Sequence, residues 1–448
     1  MTRCRYRRAS LLAPLAAVVA LALLLPGCAT LPSANPAGDA PRLLVVLPPS
    51  PPPVARRHVL EVAAAHSLYV YQAWTMRSLD RLCVVYGLSP GVSVERTVRR
   101  VAADPRVESA QLVQRFHVLG PRLGPRLGPR LGARAQGQSE LASAGGDPYA
   151  ELQRASAEMR SDLAHRWATG IGVTVAVVDT GVDVGHPDLA GRIVKVANFV
   201  ERGERSFTRD VHGTAVAGVV AAVAGNGIGI AGVAPEARLL AMKACWPLAE
   251  GSADAACDSY TLAQAVDTAL AEGADVLNLS LTGPQDALLA RLLATADDSG
   301  VAVVAAVDEA RGDLGFPASL PTVIAVRAAT QPGSAELTDA ASSRAGLVSA
   351  PGTDVLSTVP GGGYDFFSGS SMAAAHVAGV VALLLERQPE MRPDELARRL
   401  TDSAGGGASG GEAGDVRASA VVDACEAVAR LLEIPGGCPP LAGDRRAR

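Results

Sequence analysis

Lysine is almost missing from this chain: of 41 basic residues only Lys195 and Lys243 are lysines, and arginine supplies the rest. Alanine and glycine are abundant, so we read the bias as one of coding composition rather than chemistry. A basic surplus is missing as well. The net charge is −4 with a pI near 6.0, which argues against the positive footprint of a nucleic-acid binder. No Cys-x-x-Cys pair and no histidine-rich stretch points to zinc. The almost unbroken apolar stretch Leu11 to Leu25 is short for a membrane span. What is present is bulk. The 448 residues are 48% apolar, ample for one large core and a smaller second domain.

Arg3, Arg5, Arg7 and Arg8 precede that apolar stretch, and together they read as a targeting segment over residues 1–28. It closes on Leu25-Pro-Gly-Cys28, which resembles a bacterial lipoprotein signal with lipid attached at Cys28. Ordinary secretory cleavage is the competing reading, because Pro26 is atypical in that box. Lipidation, with no acidic cue after the cysteine, implies the outer membrane of a Gram-negative cell; plain cleavage implies a periplasmic or secreted protein. In both cases disulfides are permitted. Cys245 with Cys257 and Cys425 with Cys438 are close in sequence and form the candidate pairs, which leaves Cys83 over.

Residues 29–41 form a Pro/Ala/Gly tether. Residues 42–118 read as a small α+β domain: a strand at 42–47, a helix at 54–67, strands at 68–74 and 82–88, a helix at 92–103 and a closing strand at 107–118. That β-α-β-β-α-β order is the ferredoxin-like arrangement. Residues 119–146 contain Pro121-Arg-Leu-Gly, Pro125-Arg-Leu-Gly and Pro129-Arg-Leu-Gly132, a segment with too little to bury and hence a linker. It serves as a spacer, or its Arg and Leu residues are protease sites. From 147 to 434 apolar runs alternate with helical patterns, and 435–448 is a tail. Strands are expected at 174–178, 238–244, 276–280, 301–307 and 322–326, and helices at 212–223, 259–272, 286–297 and 371–388. The fold class is α/β, a mostly parallel sheet covered by helices on both faces.

Three polar residues sit where these elements start or stop. Asp179 ends the first strand, His212 opens a helix in Val211-His-Gly-Thr214, and Ser371 opens another in Ser368-Gly-Ser-Ser-Met372. A serine hydroxyl needs a base to take its proton, and a neutral histidine suits that task near pH 7. The histidine in turn needs a carboxylate on its other nitrogen to fix its tautomer. Free amides at the start of a helix favour developing negative charge beside Ser371. Each residue alone reads more readily as a helix cap or a loop residue; the three in this order and context do not. His165, His186 and His376 read as structural.

With these motifs the chain resembles the subtilase family of serine peptidases, over roughly residues 147–434. The resemblance extends to His186-Pro-Asp-Leu189, Gly232-Val-Ala-Pro-Glu-Ala237, Asn278-Leu-Ser-Leu281, Phe316-Pro-Ala-Ser319, Pro321-Thr-Val-Ile-Ala-Val326 and Ala350-Pro-Gly352. It implies that Asp179 orients, His212 is general base and acid, and Ser371 attacks a peptide carbonyl. Ser370, Ala375 and Ala215 replace the usual threonine, proline and histidine. Residues 42–118 are similar to the inhibitory pro-domains of such proteases, with a generic adaptor domain as the alternative.

The resemblance also sets expectations around the nucleophile. Asp308 stands where the family carries its oxyanion-binding asparagine, and an ionised carboxylate cannot donate there. Ser280, Leu281 and Thr282 form one wall of the substrate pocket, Ala306 and Val307 the other. Thr282 and Val307 replace glycines, so the pocket is expected to narrow and prefer Ala or Ser. Asp188, Asn226, Ile228 and Ile230, with Gln153 nearby, match positions that bind a structural Ca2+ in relatives. The resulting expectation is an exported serine endopeptidase acting on protein or peptide substrates, anchored to the membrane at Cys28 and inhibited by its own pro-domain. Self-cleavage near Gly145–Asp147 would release it. A weakly active subtilase-fold scaffold, suggested by Asp308, is the alternative from another class, and an esterase with the same triad is a third.

Overall fold

Strand β6 (Thr174–Asp179) is buried at every residue. An apolar run of that kind belongs inside a sheet covered on both sides. In the computed structural model, which describes residues 41–119, 146–200, 207–308, 312–329, 337–404 and 420–439, that is where it lies. The signal segment with Cys28 and the Pro-Arg-Leu-Gly repeat lie outside the described residues.

The main sheet has seven strands in the order β15-β14-β13-β11-β6-β8-β7, all paired in parallel. Its members besides β6 are β7 (Ile193–Asn198), β8 (Arg238–Lys243), β11 (Val276–Leu279), β13 (Ala302–Ala306), β14 (Val323–Ala329) and β15 (Leu347–Pro351). Alternation along β6 divides its side chains between two core clusters. Val175 and Val177 join helices α5 (Val211–Ala221) and α9 (Ser370–Arg387) on one face. Ala176 and Val178 join α6 (Ser259–Ala271) and α7 (Ala287–Asp298) on the other. Helix α9 is long and apolar enough to cross a bilayer, but 89% of its apolar window is buried in the protein, which makes it a core helix. Asp258 and Asp286 cap α6 and α7 by accepting from the Thr261 and Leu289 amides at 2.9 Å each.

Short helices α3 (Arg154–Met159) and α4 (Ser161–Ala164) precede β6; α10 (Pro393–Ser403) and α11 (Ala424–Leu431) join the α5/α9 core, and α8 (Asp339–Ser342) lies against the other. A hairpin, β16 (Val355–Val359) and β17 (Gly363–Phe367), leads into α9. Both expected cysteine pairs are bonded: Cys245 of β9 (Cys245–Pro247) to Cys257 of β10 (Ala255–Asp258), and Cys425 to Cys438. Cys83 is free and buried, and burial pushes its thiol pKa well up.

The N-terminal part is a second, four-stranded antiparallel sheet in the order β2-β3-β1-β4. Its strands are β1 (Arg42–Leu47), β2 (Leu68–Met76), β3 (Arg81–Leu88) and β4 (Ser109–Leu112). On one face Leu43, Val45, Val84 and Tyr86 pack under α1 (Pro52–His66) and α2 (Val94–Ala102). On the other, Leu44, Val46, Cys83 and Val85 join the α6/α7 core of the large domain. Polar contacts fasten this seam. Asp267 of α6 accepts from the Ser78 amide at 2.8 Å and its hydroxyl at 2.6 Å, and Arg42 pairs with Asp258 at 2.7 Å.

The closing strand expected at 107–118 is two strands. After β4 the chain turns at Val113–Gln114, and β5 (Arg115–Val118) leaves the small sheet for an antiparallel one ordered β12-β5-β10-β9, where β12 is Leu281–Thr282. The cause is tertiary. Gln114 is held by Ser259 through its amide at 2.8 Å and its carbonyl at 2.9 Å, and Phe116 is buried between the domains.

Candidate active site

Along the seven-stranded sheet the connections run away in both directions from β6 and β11, and beyond the carboxyl ends of such strands lies the crevice where α/β proteins hold ligands. Asp179 is the last residue of β6, and Ser280 directly follows β11. His212 and Ser371 are the second residues of α5 and α9, helices that pack on each other above these strand ends.

The His212 ring donates from Nδ1 to Asp179, 2.8 Å from Oδ1 and 2.9 Å from Oδ2, because a carboxylate can only accept. Asp179 Oδ1 also accepts from the Thr180 amide at 2.6 Å, and the Thr180 hydroxyl accepts from the Gly213 amide at 3.1 Å. Glycine at 213 makes the approach possible, since a Cβ there would stand 2.2 Å from the Gly181 carbonyl oxygen. His212 Nε2 is buried and has no hydrogen-bond partner. An imidazole held in this way presents a lone pair on Nε2, the state of a general base.

Ser371 is 1% exposed, and its hydroxyl donates to the backbone carbonyl of Leu119 at 2.6 Å. The Leu119 amide donates to the Ser280 carbonyl at 3.1 Å. Residues 115–119 therefore lie in the site as an extended peptide: Val118 pairs with Leu281, and His117 with Thr282 and Ala256. Three of the five expected pocket residues, Ser280, Leu281 and Thr282, touch this strand. Ala306 and Val307 are buried, and the Val307 carbonyl accepts from the Ser370 hydroxyl at 2.7 Å, tying the start of α9 to the end of β13.

A model of the subtilase family matches residues 170–422, over half the chain. This chain belongs to the subtilase family. It is 37% identical over 245 residues to an intracellular serine protease of Paenibacillus polymyxa, a match covering 52% of this chain and 73% of that one. It is 36% identical to subtilisin E of Bacillus subtilis (strain 168) over 53% of this chain and 61% of the relative. Among solved structures, fervidolysin from Fervidobacterium pennivorans, a keratinolytic enzyme related to subtilisin, matches with a TM-score of 0.65 and 25% identity, over 89% of this chain and 61% of that one.

Within this subtilase the expected oxyanion residue, Asp308, is 8% exposed and backs onto Gly315, where a Cβ would lie 3.3 Å from Asp308 Cβ and 2.4 Å from the Thr282 hydroxyl. The Thr282 side chain is thus directed at the Gly315 turn. The residue whose carbonyl lies beside the nucleophile is Leu119.

The residues aligned with a family calcium site are hydrogen-bonded to one another and to their neighbours. Asp188 Oδ1 accepts from Asn226 Nδ2 at 2.8 Å, and Oδ2 accepts from the Ile230 amide at 2.9 Å and the Tyr364 hydroxyl at 3.1 Å. Ile228 donates its amide to Asn226 Oδ1 at 2.8 Å, and Gln153 bonds both ways to Ala231 at 2.7 and 2.9 Å. Calcium takes six to eight oxygens from carboxylates and carbonyls; Asp188 would supply the carboxylate, and Asn226, Ile228 and Ile230 the neutral oxygens. Among the described residues no group of three His, Cys, Asp or Glu could hold a metal.

Sequence reasoning passed over Lys243. This buried lysine donates to Asp210 Oδ2 at 2.5 Å and to the Thr180 carbonyl at 2.6 Å. It thereby braces the residue after Asp179 against the residue two before His212. The signal was its rarity: a lysine kept in an arginine-rich chain marks a place where a compact ammonium fits and a planar guanidinium does not. The three other histidines expected to be structural are hydrogen-bonded to backbone: His165 to Val233, His186 to Gly363 and His376 to Pro351, at 2.9, 3.0 and 3.0 Å.

Proposed function

We propose that this subtilase is an exported serine endopeptidase that processes itself, with residues 42–119 acting as its intramolecular inhibitor. The observation that carries the reading is the contact of Ser371 Oγ with a backbone carbonyl, 2.6 Å away, on a strand paired into the substrate wall. His212 Nε2 takes the Ser371 proton as Oγ bonds to the carbonyl carbon, and Asp179 holds the imidazolium that results. The same Nε2 then protonates the departing amine, and water repeats the sequence to free the acyl group. The Ser371 amide at the start of α9 is one donor to the oxyanion. Asp308 supplies the second only while protonated, and removal of one such donor costs about 10²- to 10³-fold in rate.

Relatives named serine protease and subtilisin support the peptidase activity. The arginine-led apolar N-terminus and two disulfides support export. Lipidation at Cys28 would anchor the precursor to a membrane, so that one cut both frees and activates the enzyme. The deciding experiment follows the intact mass of signal-less protein beside its Ser371→Ala variant, with fluorophosphonate labelling of Ser371. Loss of the N-terminal segment in the wild type alone, with labelling, is expected; two unlabelled full-length chains would refute the reading.

Asp308 favours a second reading, a subtilase-fold binding protein with little turnover. The variant Asp308→Asn separates the two. A gain of about 10²-fold in kcat is expected if the carboxylate merely slows a working enzyme, and no turnover in either form would leave the scaffold.

A further inference from the structure

We propose that the outer layer of the N-terminal domain, helices α1 and α2, is a docking face for an anionic phospholipid bilayer, held there by Arg56, Arg57, Arg96, Arg99 and Arg100. Charge in this chain is divided by domain. Residues 41–119 carry ten arginines against five acids, a net +5, whereas residues 146–448 carry 23 basic residues against 38 acids, a net −15. An asymmetry of that size between two parts of one chain points to a charged partner for the basic part. The coding preference for arginine does not produce it, because that preference acts on both parts and sets which base is used rather than how many.

The structure gathers the surplus on one side. The small sheet gives its Leu44, Val46, Cys83 and Val85 face to the large domain and carries α1 and α2 on the other, so the helices form the outermost layer. All five arginines are exposed, and among the described residues their guanidinium groups make no ion pair. The acids nearby are spent, Glu61 and Asp104 on Arg106, and Glu108 on Arg81 and Arg291. Glu95 is the one other acid on the two helices. The helix dipoles account for part of the pattern only. Arg99 and Arg100 suit the last turn of α2, but Arg56 and Arg57 stand in the amino-terminal half of α1, where a cation gains nothing from the helix. Unpaired cations in one layer repel one another, and an anionic surface reverses that repulsion.

The side chains among the arginines select a bilayer. Leu60 on α1 and Val92 just ahead of α2 are 48% and 40% exposed. At a headgroup boundary arginines meet phosphate while apolar groups sink beneath it; a hydrated acidic polymer has no such layer. The chain before the domain fits as well. Residues 29–41, at about 3.5 Å each, hold the domain within about 45 Å of a lipid carried at Cys28. The same surface repels the part with net charge −15, so the precursor rests on its N-terminal domain with the catalytic domain turned to water. This goes beyond the peptidase reading and does not depend on it.

The test uses the signal-less full chain with Ser371→Ala, which keeps the two domains joined, in sedimentation with vesicles of phosphatidylcholine alone or mixed with phosphatidylglycerol. Binding to the mixed vesicles only is expected, and its loss at about 1 M salt, where the screening length is about 3 Å. A basic residue beside such a surface contributes about fivefold to binding. Arg96→Gln, Arg99→Gln and Arg100→Gln together should therefore weaken it about 100-fold, and lysine at the same three positions should restore it, with melts showing both variants folded. Equal binding to neutral vesicles, full binding by the glutamine variant, or tighter binding to single-stranded DNA than to mixed vesicles overturns the inference. Fluorophosphonate labelling of Ser371 in the wild type tests the peptidase reading separately and is unmoved by any of these outcomes.

Discussion

Asp179 and Asp188 are both buried, and each keeps company with a histidine, yet their valences are spent differently. Asp179 gives its oxygens to His212 and one amide, and His212 is left with a buried Nε2 that has no hydrogen-bond partner. Asp188 is saturated by Asn226, Ile230 and Tyr364, while His186 accepts the Asp188 amide on Nδ1 at 3.1 Å and meets the Gly363 carbonyl through Nε2 at 3.0 Å. The residue types match; the outcome differs because chemistry needs an unspent lone pair and structure needs none. A closed polar network stiffens a fold. An open one can act on something that arrives.

Breaking each half separates the two roles. His212→Ala is expected to lower kcat per folded molecule by at least about 10³-fold, whereas His186→Ala should lower Tm and leave kcat per folded molecule unchanged. Thermal melts beside active-site-titrated kinetics check the pair. If His186→Ala abolished turnover in folded protein, the division would be wrong.

Lys243 tests whether the open half depends on its brace. Its ammonium and Asp210 are both buried, so Lys243→Met breaks a buried ion pair and should cost about 3–5 kcal/mol. In the folded fraction kcat should fall more than KM rises, and Lys243→Arg should not restore it. Unchanged kcat would reduce Lys243 to a stabilising residue.

His376 is a third histidine with its ring spent, on the Pro351 carbonyl, and burial pushes its pKa down to about 4. Unfolded, it titrates near 6.5, so between these values the unfolded state binds more protons. Its contribution is complete above about pH 6.5 and is lost as pH falls toward 4, about 3 kcal/mol in all. Urea unfolding across that range should show the slope in the wild type, and His376→Gln should flatten it. An unaltered slope would place the acid sensitivity elsewhere.

The open half was legible from sequence because its residues sit in short local motifs at element ends, and β6, β8, β11, α5 and α9 carry unambiguous apolar patterns. What fills and braces the site was not. Residues 107–118 read as one strand because nothing local marks a break; β5 exists through pairing with β10 and β12, more than a hundred residues away. Lys243 ends an apolar strand, and Thr180 and Asp210, which accept from it, follow β6 and precede α5. The Asp188 network shows a limit of another kind. The loop Asn226-Gly-Ile-Gly-Ile230 looks the same in sequence whether its groups face a cation or one another, and the Tyr364 hydroxyl that reaches Asp188 lies 138 positions beyond Asn226.

That network yields the smallest effect and the sharpest contrast. With Asp188 held by N–H and O–H donors, removal of divalent cations should leave Tm within about 2 °C, since no ligand-linked stabilisation is withdrawn. Tyr364→Phe removes one donor to a buried carboxylate whose pKa burial already raises. It should cost about 1–3 kcal/mol and leave kcat unchanged. Melts of both proteins with chelator and with added Ca2+ check this together. A large Tm loss on chelation of the wild type would show that the closed half is held open for an ion. The contrast would then lie between two sites that each await a partner, one a peptide carbonyl and the other a cation.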